Sequence, residues 1–395
     1  MPEQPTGPAW FAELEEEHAR LSRHTLLRQR RVMGSVTGPV VEVAGRCLTA
    51  FLSNDYLGLA AEPQLREAVA DGARQWGAGS GSSPLVAGHL ACHERAEQAL
   101  AEFVGMEQAL LFITGYMANL AVLTSLMDDE DDVIFSDALN HASLIDGCRL
   151  AKAKTVRYPH RDLAALEQAL AAHSGRRRMI VTDAVFSMDG DEADLPGLLR
   201  LAEQQDALLL VDDAHGFGVL GPEGRGSVTA AGLRSARLVL MGTLGKAAGL
   251  SGAFVAADAR VIRHLVQRAR TYIYSTSPAP ALATAVPTAL AMIAAGDGRR
   301  AQLQWLAAEL GRQSSAWRVL PTLGRTPIVP VVLGDAGATM ALAQQMAAHG
   351  VLVAGIRPPT VPQGSSRLRI SLSAAHTGQH LQQLLVAAQR AGLAR

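Results

Sequence analysis

Short apolar runs recur along the middle of the chain: ALLFI (109–113), DVIFSD (132–137), MIVTDAVFS (179–187), ALLLVDDAH (207–215), LVLMGTLG (238–245) and GAFVAA (252–257). Most are followed by a turn and a helical pattern. Runs such as ALLLV are apolar at every position, as strands are when helices cover both faces of a sheet. Alternation of strand and helix predicts an α/β large domain with a mainly parallel, doubly wound sheet. GAFVAA follows LVLMGTLG too closely for a helical crossover, so that pair is expected to be antiparallel. From about Pro278 an Ala/Leu-rich helical stretch begins. IVPVVLG (328–334), VLVAGI (351–356), RLRISLS (367–373) and a last helix then predict a small C-terminal α+β domain. Before the sheet, helical spacing runs from Trp10 to Arg31 and ends in Arg28, Arg30 and Arg31. The predicted division is an N-terminal helical segment over 1–50, a large domain over 51–285 and a small domain over 286–395.

With 48% hydrophobic and 18% charged residues the chain has the makings of a large core. Lys plus Arg is 36 and Asp plus Glu is 37, a net charge of −1 that leaves no footprint for nucleic acid or an anionic membrane. Cys47, Cys92 and Cys148 are odd in number and far apart, so neither a disulfide framework nor a zinc site is expected, and no metal is. The opening MPEQPTGPAWFAELEEE is acidic where a signal peptide is basic and then apolar. Apolar runs fall short of the span of about 18–20 residues that crosses a bilayer. A soluble, cytoplasmic protein serving small molecules is the expectation.

In an open parallel sheet, ligands bind beyond the carboxyl ends of the strands. Polar residues gather at those ends: Gly115, His141, Ser187, Asp212, His215, Thr243 and Lys246. Lys246 stands in GTLGKAAGLSG among small residues that let a ligand approach. Desolvation lowers the pKa of such a lysine, so its neutral amine can form a Schiff base. A phosphate-binding loop of the GxxxxGK[ST] kind is disfavoured because Ala247 replaces the hydroxyl residue. Asp212 ends an apolar strand, where a carboxylate needs a cationic partner; a protonated pyridine nitrogen supplies one and keeps the ring an electron sink. His215, three residues on, can hydrogen-bond the ring's phenolic oxygen, although a lone Asp-x-x-His often only caps or turns the chain. Metal binding by Asp212, Asp213 and His215 stays open as a rival. Gly115, Tyr116 and Asn119 open a helix whose free N–H groups suit a phosphate, with Ser187 and Thr243 as hydroxyl donors. Taken alone, each of these reads more readily as structural than as functional, and His141 is ambiguous in the same way.

The segments SNDYLGL (53–59), GAGSGSSPLVAGH (77–89), NHASL (140–144), VFSMDGD (185–191), VDDAHGFG (211–218), GTLGKAAG (242–249) and IYSTS (273–277) occur in an order that resembles the α-oxoamine synthases, fold-type I pyridoxal-phosphate enzymes. The resemblance spans about residues 10–390. IRPPTVPQGSSRLRISLSAAH (356–376) resembles more narrowly the branch of that family serving biotin synthesis. It implies a fold-type I transferase in which Lys246 carries pyridoxal 5′-phosphate, Asp212 pairs the ring nitrogen, His215 meets the phenolic oxygen and His141 stacks on the ring. Gly115, Tyr116, Ser187 and Thr243 then surround the cofactor and its phosphate. Asn54 and Arg369 orient the amino-acid carboxylate, and Arg28 and Thr360 meet the thioester. Ser275 and Thr276 reach the neighbouring subunit's cofactor, which implies a homodimer. The implied reaction joins L-alanine to a pimeloyl thioester with loss of CO2 and the thiol; the donor, CoA or an acyl-carrier protein, stays open. Arg357 beside Pro358–Pro359 is the candidate partner for the second carboxylate of the acyl chain, or else a pin for the small domain. Pro84 departs from the family pattern and puts the local shape of the substrate channel in question. Rival readings are a sibling synthase using glycine or serine, an aminotransferase or lyase, and a non-catalytic relative.

Overall fold

Twelve strands form two sheets in the computed structural model, which describes residue 8, residues 10–314, residue 317 and residues 326–393. In chain order they are β1 (Val40–Val43), β2 (Arg46–Phe51), β3 (Gln108–Phe112), β4 (Val133–Asp137), β5 (Lys154–Tyr158), β6 (Arg178–Asp183), β7 (Leu208–Asp212), β8 (Leu238–Thr243), β9 (Ala253–Ala257), β10 (Ile328–Gly334), β11 (Val351–Ile356) and β12 (Ser366–Ser371). The large sheet has the order β3-β9-β8-β7-β6-β4-β5. Its ladders are parallel except where β9 pairs with β3 and β8. The unbroken apolar runs are explained by two cores. Leu209 and Val211 of β7 face one hydrophobic cluster, and Leu210 between them faces the other. Adjacent side chains on a strand point to opposite faces, so a sheet buried on both sides needs apolar residues throughout.

The second sheet, β1-β2-β11-β12-β10, draws on both ends of the chain. Among its described residues, the segment over 1–50, read as helical, is a helix only over Trp10–Arg23 and supplies two strands from Val40 onward. Its helix stops eight residues short of Arg31. Thr25 turns left-handed (φ 57°), and the N–H groups of Thr25 and Leu26 bond back to Ser22 and Leu21 at 3.0 and 2.8 Å. That pair of bonds is a Schellman cap, which closes the last carbonyls and redirects the chain. Arg28, Arg30 and Arg31 therefore follow the helix in irregular backbone. β5 (KTVRY) carried no apolar run because it is an edge strand with three of five residues exposed. Among the described residues no single helix is long and apolar enough to cross a membrane.

The loops after β4 and β6 are clamped together by His160. Its Nδ1 is 2.9 Å from Asp137 Oδ1 and its Nε2 2.8 Å from Asp191 Oδ2, and Arg161 Nη1 also reaches Asp191 at 3.1 Å. Burial opposes a charge on His160, but hydrogen bonds to Asp137 and Asp191 outweigh it and push the imidazole up to about 9. A histidine raised above its ordinary value stabilises the fold fully below about pH 6.5 and ceases to as pH rises through about 9. His160→Gln is expected to lose about 1–2 kcal/mol at pH 6.5, allowing for solvent screening. Urea denaturation checks this: the gap from wild type should close at pH 10, and a gap that does not vary with pH would refute the charged clamp.

Candidate active site

The rim formed by the carboxyl ends of β4, β6, β7 and β8 carries the titratable groups. β7 delivers Asp212, which is 3% exposed. Its Oδ2 accepts from Asn119 Nδ2 at 2.8 Å and its Oδ1 from the Ala214 N–H at 3.0 Å. Asp183 stands beside it in register on β6. Burial, reinforced by the charge of Asp212, holds the Asp183 carboxyl well above the usual range.

Lys246 lies in the turn after β8, half-buried, with Nζ 2.8 Å from His215 Nε2. Burial lowers its amine to about 8 against the opposing pull of Asp212. His215 is buried, and desolvation followed by the charge of Lys246 keeps it far below its ordinary pKa, hence neutral. Its Nδ1 lies 2.6 Å from the hydroxyl of Tyr56. Tyr56 donates to Asn54 Oδ1 at 3.2 Å and accepts from Arg369 Nη2 at 3.3 Å. Arg369, on β12, also donates to Asn54 Oδ1 (3.1 Å), Ser371 Oγ (2.8 Å) and the Ser187 carbonyl (2.6 Å). One continuous chain of hydrogen bonds thus joins the lysine of the large sheet to the arginine of the small one. Four residues singled out from the sequence, Lys246, His215, Asn54 and Arg369, are members of it. Tyr56 was missed, although it sits inside the SNDYLGL segment; its side chain is fully buried and joins the chain through its hydroxyl.

Gly115 and Tyr116 begin the helix Gly115–Leu126, capped by Thr114, whose Oγ1 accepts from the Met117 N–H at 3.2 Å. The N–H groups of Gly115 and Tyr116 have no protein acceptor among the described residues. The Tyr116 hydroxyl donates to Asp146. Thr243 Oγ1 donates to the Gly252 carbonyl at 3.1 Å. His141 caps the helix Ala142–Leu150, with its own N–H on Asp183 Oδ2 at 2.6 Å. A buried carboxylate, a lysine with a lowered pKa, a neutral histidine and a free helix N-terminus suit an aldehyde cofactor with a basic ring nitrogen and a phosphate. Asp213 instead turns to Ser227, accepting from its N–H at 2.7 Å and its hydroxyl at 2.5 Å. Asp212, Asp213 and His215 do not converge on one point as metal ligands would; among the described residues only His89, Glu94 and Glu97 do.

Arg28 and Thr360, 332 positions apart, meet at 3.3 Å between Nη2 and Oγ1. Arg357 is committed elsewhere: Nη2 donates to the Leu27 carbonyl at 2.7 Å and Nη1 lies 3.0 Å from Met340 Sδ. It thereby fixes the backbone next to Arg28. Thr360 also borders a cavity of about 490 Å³ lined by Leu139, Phe186, Met188, Val361 and Pro362 among others, with Ser187 on its wall. Ser275 and Thr276 follow the short helix Arg270–Ile273, and the segment is pinned where Ser277 N–H bonds Ser82 O at 3.0 Å. Among the described residues no hydrogen bond joins Ser275 or Thr276 to the Lys246 chain. Pro84 opens a π-helical turn over Pro84–Gly88 next to that contact.

The class I and II aminotransferase family model matches residues 48–387. A protein of Herminiimonas arsenicoxydans named 8-amino-7-oxononanoate synthase is 53% identical over 385 residues, covering 96% of this chain and 98% of its own. Among solved structures, one of SPT with a PLP internal aldimine matches with a TM-score of 0.91 at 28% identity, covering 98% of this chain and 100% of that one. The 8-amino-7-oxononanoate synthase of Francisella tularensis matches with a TM-score of 0.74 at 31% identity, covering 86% and 96%. The chain belongs to the class I and II aminotransferase family and, within it, to the 8-amino-7-oxononanoate synthases.

Proposed function

We propose that the protein is a pyridoxal-phosphate acyltransferase of biotin synthesis. It condenses L-alanine with a pimeloyl thioester and releases 8-amino-7-oxononanoate, CO2 and the free thiol. The observation that carries this reading is the hydrogen-bonded chain from Lys246 through His215 and Tyr56 to Asn54 and Arg369, with Asp212 buried beside it. When bound, pyridoxal phosphate supplies an aldehyde for the amine and a ring that draws electrons from Cα. Asp212 would present the charge that keeps the ring nitrogen protonated, and His215 and His141 would hold the ring, His215 through a hydrogen bond to its phenolic oxygen. Gly115, Tyr116, Ser187 and Thr243 would hold the cofactor, the helix N-terminus at Gly115 offering its unpaired N–H groups to the phosphate. Arg369 and Asn54 orient the alanine carboxylate, and the neutral Lys246 amine removes the Cα proton. Arg28 and Thr360 receive the thioester, and the cavity beside Thr360, lined by apolar side chains together with Arg161, Asp189, Asp191 and Arg367, takes the acyl chain. Arg357 anchors the backbone that presents Arg28.

The test is kcat/KM for pimeloyl-CoA, its methyl ester and palmitoyl-CoA, with alanine and with glycine. Alanine with pimeloyl-CoA should be preferred, the methyl ester losing about tenfold if a cation meets the distal carboxylate. Palmitoyl-CoA or glycine as the better substrate would move the protein to a sibling reaction. Arg357→Ala should depress pimeloyl-CoA and its methyl ester together, because the Arg28 backbone loosens. Selective loss of pimeloyl-CoA would instead make Arg357 the carboxylate partner.

The active unit in this reading is a cytoplasmic homodimer in which Ser275 and Thr276 serve the neighbour's cofactor. Exposure of Thr276 and its separation from the Lys246 chain support this. Mixing Lys246→Ala chains with Thr276→Glu chains should restore about one quarter of wild-type activity, since half the dimers are hybrids with one sound site. Verified subunit exchange without recovery would rule out shared sites.

A further inference from the structure

Two buried residues with no role so far connect the opposite ends of the site. Asn119 is 0% exposed and Ser143 1%. Asn119 Nδ2 donates to Asp212 Oδ2 at 2.8 Å and to Ser143 Oγ at 2.9 Å. Ser143 Oγ lies 2.7 Å from His141 Nδ1, and the Ser143 main-chain N–H donates to the same nitrogen at 3.2 Å.

The directions of these bonds follow from the groups that can only donate. A main-chain N–H cannot accept, so His141 Nδ1 carries a lone pair and no proton. The Ser143 hydroxyl must then donate to Nδ1. The amide nitrogen of Asn119 is also donor-only, so it spends one hydrogen on the Asp212 carboxylate and the other on the Ser143 oxygen. Turning the amide over would press its oxygen against the carboxylate, which fixes its orientation. The cost is visible: Asn119 Oδ1 is buried with no hydrogen-bond partner. A side chain that leaves its own oxygen unsatisfied is held there by its two donor contacts.

We propose that Asn119 and Ser143 are positioning residues that tie Asp212 to His141 and present His141 as a neutral imidazole with its proton on Nε2. His141 Nε2 has no protein hydrogen-bond partner among the described residues, so that proton is left free to meet a ligand. His141 is exposed, but partial desolvation of its ring by the surrounding protein still disfavours the imidazolium, Asp212 opposing and Lys246 assisting. His141 is therefore a hydrogen-bond donor to the reacting acyl oxygen or the departing carboxylate, and not a base. The donor role rests on the condensation proposed above; the tautomer does not.

The experiment is ring-nitrogen NMR of holoenzyme labelled with ¹⁵N-histidine, the His141 signals being identified by their loss in His141→Gln. Wild type should carry the His141 proton on Nε2. Ser143→Ala should shift the Nδ1 resonance, and Asn119→Ala should shift it too although it touches His141 only through Ser143. Ser143→Ala should also lower kcat about tenfold with KM for pimeloyl-CoA nearly unchanged, as expected when a positioned donor is loosened. Ser143→Thr, which keeps the hydroxyl, should recover most of that loss. If Asn119→Ala does not fold, the two Ser143 variants carry the test. A wild-type proton on Nδ1, or an Nδ1 resonance unmoved by Ser143→Ala, overturns the relay. Because the NMR reading requires no acyl substrate, it fails or holds independently of the condensation assay.

Discussion

Lys246→Ala is expected to remove the protein's yellow colour and to lower turnover by at least about four orders of magnitude, because no other amine can both carry the cofactor and take the Cα proton. With its amine lowered to about 8, roughly one quarter of Lys246 is neutral at pH 7.5, against roughly one part in a thousand for an ordinary lysine. Cofactor uptake by the apoprotein should therefore accelerate with pH up to about 8 and then level off. A rise continuing to pH 10 would mean that the amine is not desolvated. Borohydride reduction followed by peptide mapping locates the attachment. The sequence makes this test sharp, since Lys152 and Lys154 are its only other lysines. Cofactor fixed to either would refute the assignment of Lys246.

Asp212→Asn should leave the fold in place and slow Cα-proton exchange of bound alanine by about three orders of magnitude. An amide carries no charge to keep a ring nitrogen protonated, so electron withdrawal from Cα weakens. The substitution is nearly isosteric but not innocent. Asp212 accepts from Asn119 on one oxygen and from the Ala214 N–H on the other, and an Asn must turn its NH2 toward one of these donors. A stability loss of about 1–3 kcal/mol is expected from that conflict. Deuterium exchange into alanine, followed by NMR without acyl donor, isolates the step. Exchange at wild-type speed would remove Asp212 from its role.

The order of apolar runs and the polar residues that end them determined most of the large sheet. β4, β7, β8 and β9 fall within the runs read from sequence, β3 and β6 begin one residue before theirs, and the antiparallel β9 follows from a connection too short for a crossover. Lys246, Asp212, His215, Thr243 and His141 were legible for the same reason: each stands within a few residues of the end of a parallel strand, where a rim is open to ligand. The edge strand β5 was not legible, because three of its five residues are exposed and only Val156 and Tyr158 pack on the core. Neither was the stop at Thr25, which depends on a left-handed residue that nothing in HTLLRQRR announces.

What only the tertiary structure decided is which distant side chains meet. Tyr56 and His215 are 159 positions apart, Arg369 and Tyr56 313, and Arg357 and Leu27 330. Periodicity reports the conformation and buried face of a segment, because those depend on near neighbours in the chain. It carries no term for the partner that sheet order and register bring opposite. Strands β1 and β2 join β11 in one sheet, and only that closure sets Asn54 and Tyr56, just beyond β2, against Arg369 on β12. The local sequence placed the polar groups at the strand ends, while the joining of the chain's two ends in the second sheet brought them into one hydrogen-bonded chain.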